Sequence, residues 1–229
     1  LEKHDPPAYK IASCEIGYID LIEKVGQTQK PIFISTGMAN LNEIETVMET
    51  LYKNNVKKDN IALFKCTTDY PADPKDSNLK TITTMRDLFD VEIGLSDHTQ
   101  GMAAPLLSIA YGSSFVEKHF VDLKDEKAID GSFSMLPNEI KKLKIELTNA
   151  WKSIGEVKFG PTLDEEINIK YKRSLYFNKS LPIGHVLTND DLICIRPNLG
   201  LKPIYKNKLI GKKLIKKVNF GDPTSFDFI

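Results

Sequence analysis

The sequence predicts an α/β fold, the C-terminal part of a (β/α)8 TIM barrel followed by a small, separate β-rich domain. Three observations carry this reading. Short apolar runs alternate with helical stretches over the first two-thirds of the chain. Such a series implies parallel strands joined by right-handed crossovers. Polar residues gather where each run ends, at Ser13, Ser35 and Thr36, Thr67 and Thr68, Ser96 to His98, and His119. Both barrels and open α/β sheets place their chemistry at the carboxyl ends of strands. From about Arg173 the helical periodicity stops, and short β-like runs alternate with Gly/Pro turns.

Taken in order, Tyr9–Ser13 is a strand candidate followed by a helix over Ile19–Gly26. Pro31–Thr36 is β-rich, Gly37 turns the chain, and Asn40 suits the N-cap of a helix over Leu41–Lys53. In that helix Leu41, Ile44, Val47, Met48 and Leu51 recur at helical spacing and mark one buried face. Ile61–Thr67, Val91–Asp97 and Ser114–Phe120 read as strands, and Leu79–Leu88, Met102–Tyr111 and Pro137–Ile154 as helices. The strand runs are apolar on both faces, as expected between helices. Five units cannot close an eight-stranded barrel, so about three strands are expected before residue 1. The chain opens without Met and enters a strand almost at once, so it reads as a piece of a longer protein. Alone, with sheet edges exposed, it is expected to be inactive. The predicted boundaries are residues 1–158 for the partial barrel, 159–172 for a linker and 173–229 for the β-rich domain.

Composition narrows the function. In 229 residues, 31 Lys and Arg balance 31 Asp and Glu, so no net field draws the chain to nucleic acid or an anionic membrane. The three cysteines, Cys14, Cys66 and Cys194, lie too far apart for a disulfide framework or a zinc knuckle and read as reduced thiols of a cytoplasmic protein. No apolar run is long enough to span a membrane and no signal peptide opens the chain. With neither a Walker loop nor Gly-x-Gly-x-x-Gly, a nucleotide cofactor has no support.

The strongest constellation is Gly94-Leu95-Ser96-Asp97-His98-Thr99 with Glu117-Lys118-His119-Phe120. Neighbouring strands lie about 4.8 Å apart, so histidines at two adjacent strand ends can converge on one ion. Two neutral imidazoles with open positions suit a divalent cation such as Mn²⁺. The competing reading is two lone histidines, each satisfied by a hydrogen bond. Period-2 alternation puts Ser96 on the face of His98 and Glu117 on that of His119, while Asp97 faces away to orient a neighbour. Glu117 also reads as half of a structural ion pair with Lys10 or Lys65. Lys10 and Ser13 offer a cation and a hydroxyl at one mouth, and Ser35 adds another hydroxyl. A lysine there needs an anion to pair with, unless Lys10 is simply a solvated surface residue.

Five ordered segments then carry a family resemblance: Tyr9-Lys10-Ile11-Ala12-Ser13, Ser35-Thr36-Gly37-Met38, Cys66-Thr67-Thr68-Asp69-Tyr70-Pro71, and the two histidine motifs. They resemble the nonulosonic acid synthases, which include the sialic, legionaminic and pseudaminic acid synthases. Arg173-Ser174-Leu175-Tyr176, Arg196-Pro197 and Leu209-Ile210-Gly211-Lys212-Lys213 resemble the SAF domain, similar to type III antifreeze proteins. The resemblance implies that His98 and His119 hold Mn²⁺ or Mg²⁺ and that Lys10, Ser13, Ser35 and Ser96 hold phosphoenolpyruvate. It implies that Thr68, Tyr70 and Asp130 contact an amino sugar, and that Arg196 reaches into the partner's barrel in a domain-swapped homodimer. Glu15 and Glu117 are the candidates for the carboxylate that positions water, although family members carry another glutamate in earlier strands. The segment Ala128-Ile129-Asp130-Gly131-Ser132-Phe133-Ser134 lacks the Pro-Gly-Pro-Asp-His of sialic acid synthases. It looks more like the pseudaminic acid synthases of the family.

Overall fold

The structure is a computed structural model that describes residues 2–123 and 128–229. The chain divides into two compact units, Leu1–Glu156 and Val157–Ile229, with Leu1 itself outside the described residues.

In the first unit, strands β1 (Tyr9–Ile11), β2 (Ile32–Ser35), β3 (Ile61–Cys66), β4 (Glu92–Asp97) and β5 (Phe115–Lys118) form one sheet in sequence order. Every pairing is parallel, giving a parallel half-barrel. Helices α1 (Ile19–Gly26), α2 (Leu41–Lys53), α3 (Lys80–Phe89) and α4 (Ala103–Ala110) make the crossovers, and α5 (Pro137–Ile154) follows β5 and packs on α4.

The register explains why the two sheet faces differ. Ile11 pairs with Ile34, Ile34 with Leu63 and Leu63 with Ile93, so every second residue faces the same side. Those side chains meet Ile22, Val47, Leu51 and Ile82 in one core beneath the helices. The opposite face carries Phe33, Phe64, Phe115 and the polar residues of the site.

Local chemistry sets the ends of the elements. Asn40 accepts from the Glu43 backbone N–H while Glu43 accepts from the Asn40 N–H, a capping box that starts α2 and contributes about 1 kcal/mol. β1 is shorter than its sequence suggests, because Glu15 N–H donates to Ala12 C=O and winds Ser13–Glu15 into a 3-10 turn. β5 likewise stops at Lys118, since the His119 carbonyl accepts from Met135 N–H at 2.8 Å and Val121 N–H donates to Met135 C=O at 3.0 Å. That pairing draws the segment around Asp130 and Phe133 to the strand ends. Among the described residues no helix is long and apolar enough to cross a membrane.

The second unit holds an antiparallel pair, β6 (Ser174–Phe177) and β7 (Leu192–Ile195), over a core of Leu175, Phe177, Leu187, Leu209 and Val218. Residues 157–172 belong to this unit, with a capping box between Thr162 and Glu165 starting a helical turn. Gly200 is wedged against backbone: a Cβ there would lie 2.1 Å from the Leu175 carbonyl oxygen.

Asp191, 2% exposed, accepts from Thr188 N–H at 2.8 Å and Thr188 Oγ1 at 2.7 Å, and pairs with His185 Nε2 at 2.9 Å. Burial pushes its carboxyl upward, but the bonds from His185 and Thr188 outweigh that and hold it well below its usual 3.8. A depressed native pKa gives stability that is present above the unfolded value, about 3.9, and lost as pH falls through the native one. Asp191→Asn should therefore lower the thermal midpoint of this unit at neutral pH. It should also flatten the midpoint's decline between about pH 4 and pH 2, measured by calorimetry. An unchanged acid slope would show that the carboxylate carries no such stability.

Candidate active site

The site is built in layers along the free face of the sheet. At its base the rings of Phe33, Phe64 and Phe115 pack together, with centroids 5.4 to 6.0 Å apart. Gly94 makes room for them, since a Cβ there would come within 2.7 Å of the Phe64 ring.

Toward the carboxyl ends the next layer is polar. Lys10 Nζ donates to Ser35 Oγ at 2.6 Å and to Glu117 Oε1 at 3.2 Å, and lies 5.3 Å from the Phe64 centroid. Ser96 Oγ donates to the same Glu117 oxygen at 2.8 Å. Lys10, Ser35, Ser96 and Glu117 are thus one network drawn from four strands. Of the two partners expected for Glu117, Lys10 is the one found. Lys65 points to the helix-covered face and bonds the Cys66 carbonyl and Thr67 Oγ1. Lys10 is exposed but not free: its Nζ pairs with Glu117 and Ser35.

Ser13 stands apart from this network. The turn after β1 directs its Oγ to the backbone N–H of Gly37 at 3.0 Å. Thr68 Oγ1 reaches the same place: a Cβ on Gly37 would lie 2.3 Å from it and 2.7 Å from Ser13 Oγ. Gly37 therefore keeps space between two hydroxyls. Thr68 Oγ1 is buried and has no hydrogen-bond partner among the described residues. A buried hydroxyl without a partner is costly.

The two histidines meet above. His98 is 6% exposed, and its Nδ1 lies 2.7 Å from the Thr67 carbonyl. A carbonyl only accepts, so Nδ1 carries the proton and the lone pair is on Nε2. Burial lowers the His98 pKa, aided by the nearby His119, against the Thr67 bond and the charges of Asp97 and Glu117, which raise it. His119 lies 5.1 Å away, centroid to centroid. Its Nδ1 is 3.4 Å from Asp130 Oδ2, an arrangement in which a carboxylate orients an imidazole.

Tyr70 stacks on His98 at 4.2 Å, and Phe133 lies 5.0 Å from His119 and 5.8 Å from Tyr70. The Tyr70 hydroxyl is pushed upward by burial and then by nearby groups including Cys66, Asp130 and Glu117. Its half-exposed ring forms the rim.

The structure thus brings together Lys10, Ser35, Ser96 and Glu117, and next to them His98, His119, Tyr70 and Asp130. Glu15 is exposed on the turn after β1, where its carboxylate accepts from the Cys14 thiol at 3.8 Å. None of the hydrogen bonds of the Lys10–Glu117 network reaches it. Arg196 is exposed after β7 in the second unit. Phe133 escaped sequence reasoning, since only the pairing of residues 119–121 with Met135 carries it to the site.

The donor set fits a divalent cation: two imidazoles on adjacent strand ends, one with Nε2 presented as a lone pair. Among the described residues no group of three or more His, Cys, Asp or Glu could hold a metal. The remaining coordination positions would fall to water or substrate oxygens.

Comparison with known proteins places the chain among its relatives. Residues 1–159 match the NeuB family, and residues 172–228 the SAF domain. The chain is 35% identical over 224 residues to a pseudaminic acid synthase of Campylobacter jejuni, covering 97% of this chain and 64% of the relative. It is also 35% identical over 205 residues to an N,N'-diacetyllegionaminic acid synthase of that organism, covering 89% of this chain and 61% of the relative. Among solved structures it resembles the N-acetylneuraminic acid synthetase of Leptospira borgpetersenii at 33% identity and a TM-score of 0.67, over 75% of this chain and 59% of that one. The chain therefore spans a little under two-thirds of the length of these relatives.

Proposed function

The chain belongs to the NeuB family, and on that footing we propose that it works within a pseudaminic acid synthase. That enzyme joins phosphoenolpyruvate to 2,4-diacetamido-2,4,6-trideoxy-L-altrose and releases phosphate. The observation that carries the reading is the layered site: the Lys10–Ser35–Ser96–Glu117 network directly beneath the neighbouring rings of His98 and His119.

In this reading Lys10, with Ser35 and Ser96, receives the phosphate and carboxylate of phosphoenolpyruvate, and Ser13 lies nearby. Thr68, with its unpartnered hydroxyl, Tyr70 and Asp130 contact the sugar. His98 and His119 would hold a divalent cation, Mn²⁺ or Mg²⁺, which supplies Lewis-acid polarisation of the aldehyde oxygen when bound. C3 of phosphoenolpyruvate bonds to the aldehyde carbon, whose oxygen takes up a proton. Water adds to C2, and the C2–O bond to phosphorus breaks, releasing phosphate. Glu117, fixed by Lys10 and Ser96, is placed to orient that water, whereas Glu15 lies outside the network. Holding both reactants in contact converts a bimolecular encounter into a pseudo-intramolecular step. The protein acts in the cytoplasm as a homodimer whose second units are exchanged, with Arg196 completing the partner's site.

The test is phosphate release from phosphoenolpyruvate by the complete polypeptide with Mn²⁺, offering the altrose sugar and N-acetylmannosamine in parallel. Turnover with the altrose sugar alone is expected. Turnover only with N-acetylmannosamine would transfer the chain to the neuraminate and legionaminate branch, and release with neither would overturn the reading.

A further inference from the structure

Directly behind the histidines lies a second cluster that the reaction does not use. Asp97 and Lys118 face each other in register across β4 and β5, and each immediately precedes one histidine of the pair. By strand alternation their side chains leave the opposite face of the sheet. Lys118 Nζ lies 2.8 Å from Asp97 Oδ2, and the two side chains are only 3% and 2% exposed. Asp97 Oδ1 accepts from Thr99 N–H and Oδ2 from Thr99 Oγ1, each at 3.1 Å, while Lys118 Nζ also donates to the Thr99 carbonyl. Every one of these bonds ties residues 97–99 either to each other or to residue 118.

An apolar pair of similar volume would hold two strands together at least as well, because burying two charges consumes most of what their attraction returns. What the charged pair adds is direction: fixed donors and acceptors allow one relative placement of the strand ends. We infer that the Asp97–Lys118 ion pair is the positioning device that sets the spacing of His98 and His119, and with it the site for a divalent cation. Asp97 and Lys118 are positioning residues and touch no reacting atom. The inference rests on the proposed role of His98 and His119 as cation ligands.

The test uses the complete polypeptide with Lys118→Met and, in case an unpaired buried Asp97 prevents folding, the neutral double variant Asp97→Asn/Lys118→Met. Mn²⁺ affinity is measured by electron paramagnetic resonance, alongside kcat and KM for phosphoenolpyruvate. Changes behind metal-ligating histidines weaken metal binding by about 10- to 100-fold. At least about a 10-fold loss is therefore expected, with kcat reduced and KM for phosphoenolpyruvate within about 2-fold of the parent. A core variant of comparable thermal destabilisation, Val47→Ala, should bind Mn²⁺ like the parent. Parental affinity in the charge variants, or an equal loss in Val47→Ala, would overturn the inference. If the parent itself binds no Mn²⁺, the ligand reading is what fails. A crystal structure of the double variant then decides the positioning role separately: displaced imidazoles sustain it, and rings still 5.1 Å apart refute it.

Discussion

Replacing His98 with alanine should lower phosphate release from phosphoenolpyruvate by about 10³-fold in the complete polypeptide. A divalent cation held there, as proposed, would supply several kcal/mol of charge stabilisation, and each 1.36 kcal/mol is a factor of ten in rate. The fold should survive. Among the described residues the His98 side chain makes one hydrogen bond, to the Thr67 carbonyl, with a net value of about 1 kcal/mol, and a stacking contact with Tyr70. The large core under the helices is untouched. His119→Ala should lose activity comparably, although that residue is more exposed and its carboxylate partner Asp130 is half-exposed. The decisive comparison pairs turnover with the thermal midpoint. Activity within tenfold of the parent in one of these variants, with the midpoint unchanged, would remove that imidazole from the mechanism.

A large stability effect is also expected far from the chemistry, at Gly200 in the second unit. An added methyl would stand 2.1 Å from the Leu175 carbonyl oxygen and 2.9 Å from the Thr224 backbone nitrogen. Both atoms belong to the backbone, so neither can swing aside as a side chain would. The Leu175 carbonyl accepts from Thr224 N–H at 3.0 Å and Thr224 Oγ1 at 2.8 Å, and Leu175 N–H donates to Leu201 C=O at 2.8 Å. Relieving the clash must stretch that set. Overpacking of this kind typically costs about 1–3 kcal/mol, and with backbone bonds lost the expected figure for Gly200→Ala is about 3 kcal/mol. In a unit of this size that lowers the midpoint by roughly 15 °C, readable as a shift of one calorimetric transition with the first unit's unmoved. A shift of less than about 3 °C would mean that the strands around Leu175 yield easily.

Much of the fold was legible because its signals are local. The α5 boundaries, Pro137 to Ile154, follow from a proline start and helical periodicity and are those observed. Asn40 and Glu43 announce their capping box three residues apart. The strands β6 and β7 likewise fall in the stretch after Arg173 where short β-like runs alternate with Gly/Pro turns. What escaped was non-local. The turn that carries Ser13 away from Lys10 depends on one backbone bond at Glu15, which no residue type announces. The approach of Phe133 to His119 requires the chain after β5 to fold back and pair through Met135. Lys118 went unassigned because its meaning lies in facing Asp97, and that requires the register of β4 against β5. The candidate site was therefore readable as a set of strand-end residues, but its partition into an anion network, a hydroxyl pair around Gly37 and an imidazole pair was not.

The buried Asp97–Lys118 pair also bears on how this sequence can drift. Removing either charge alone strands the other in an interior that cannot solvate it, a loss of about 3–5 kcal/mol. Exchanging both for neutral or apolar groups is close to neutral by comparison. Positions 97 and 118 are thus coupled in stability: a single substitution at either costs more than the paired exchange, while the paired exchange gives up the placement of the histidines. Divergence among proteins that keep this histidine pair should then keep both charges, and exchange of both together should accompany loss of the pair.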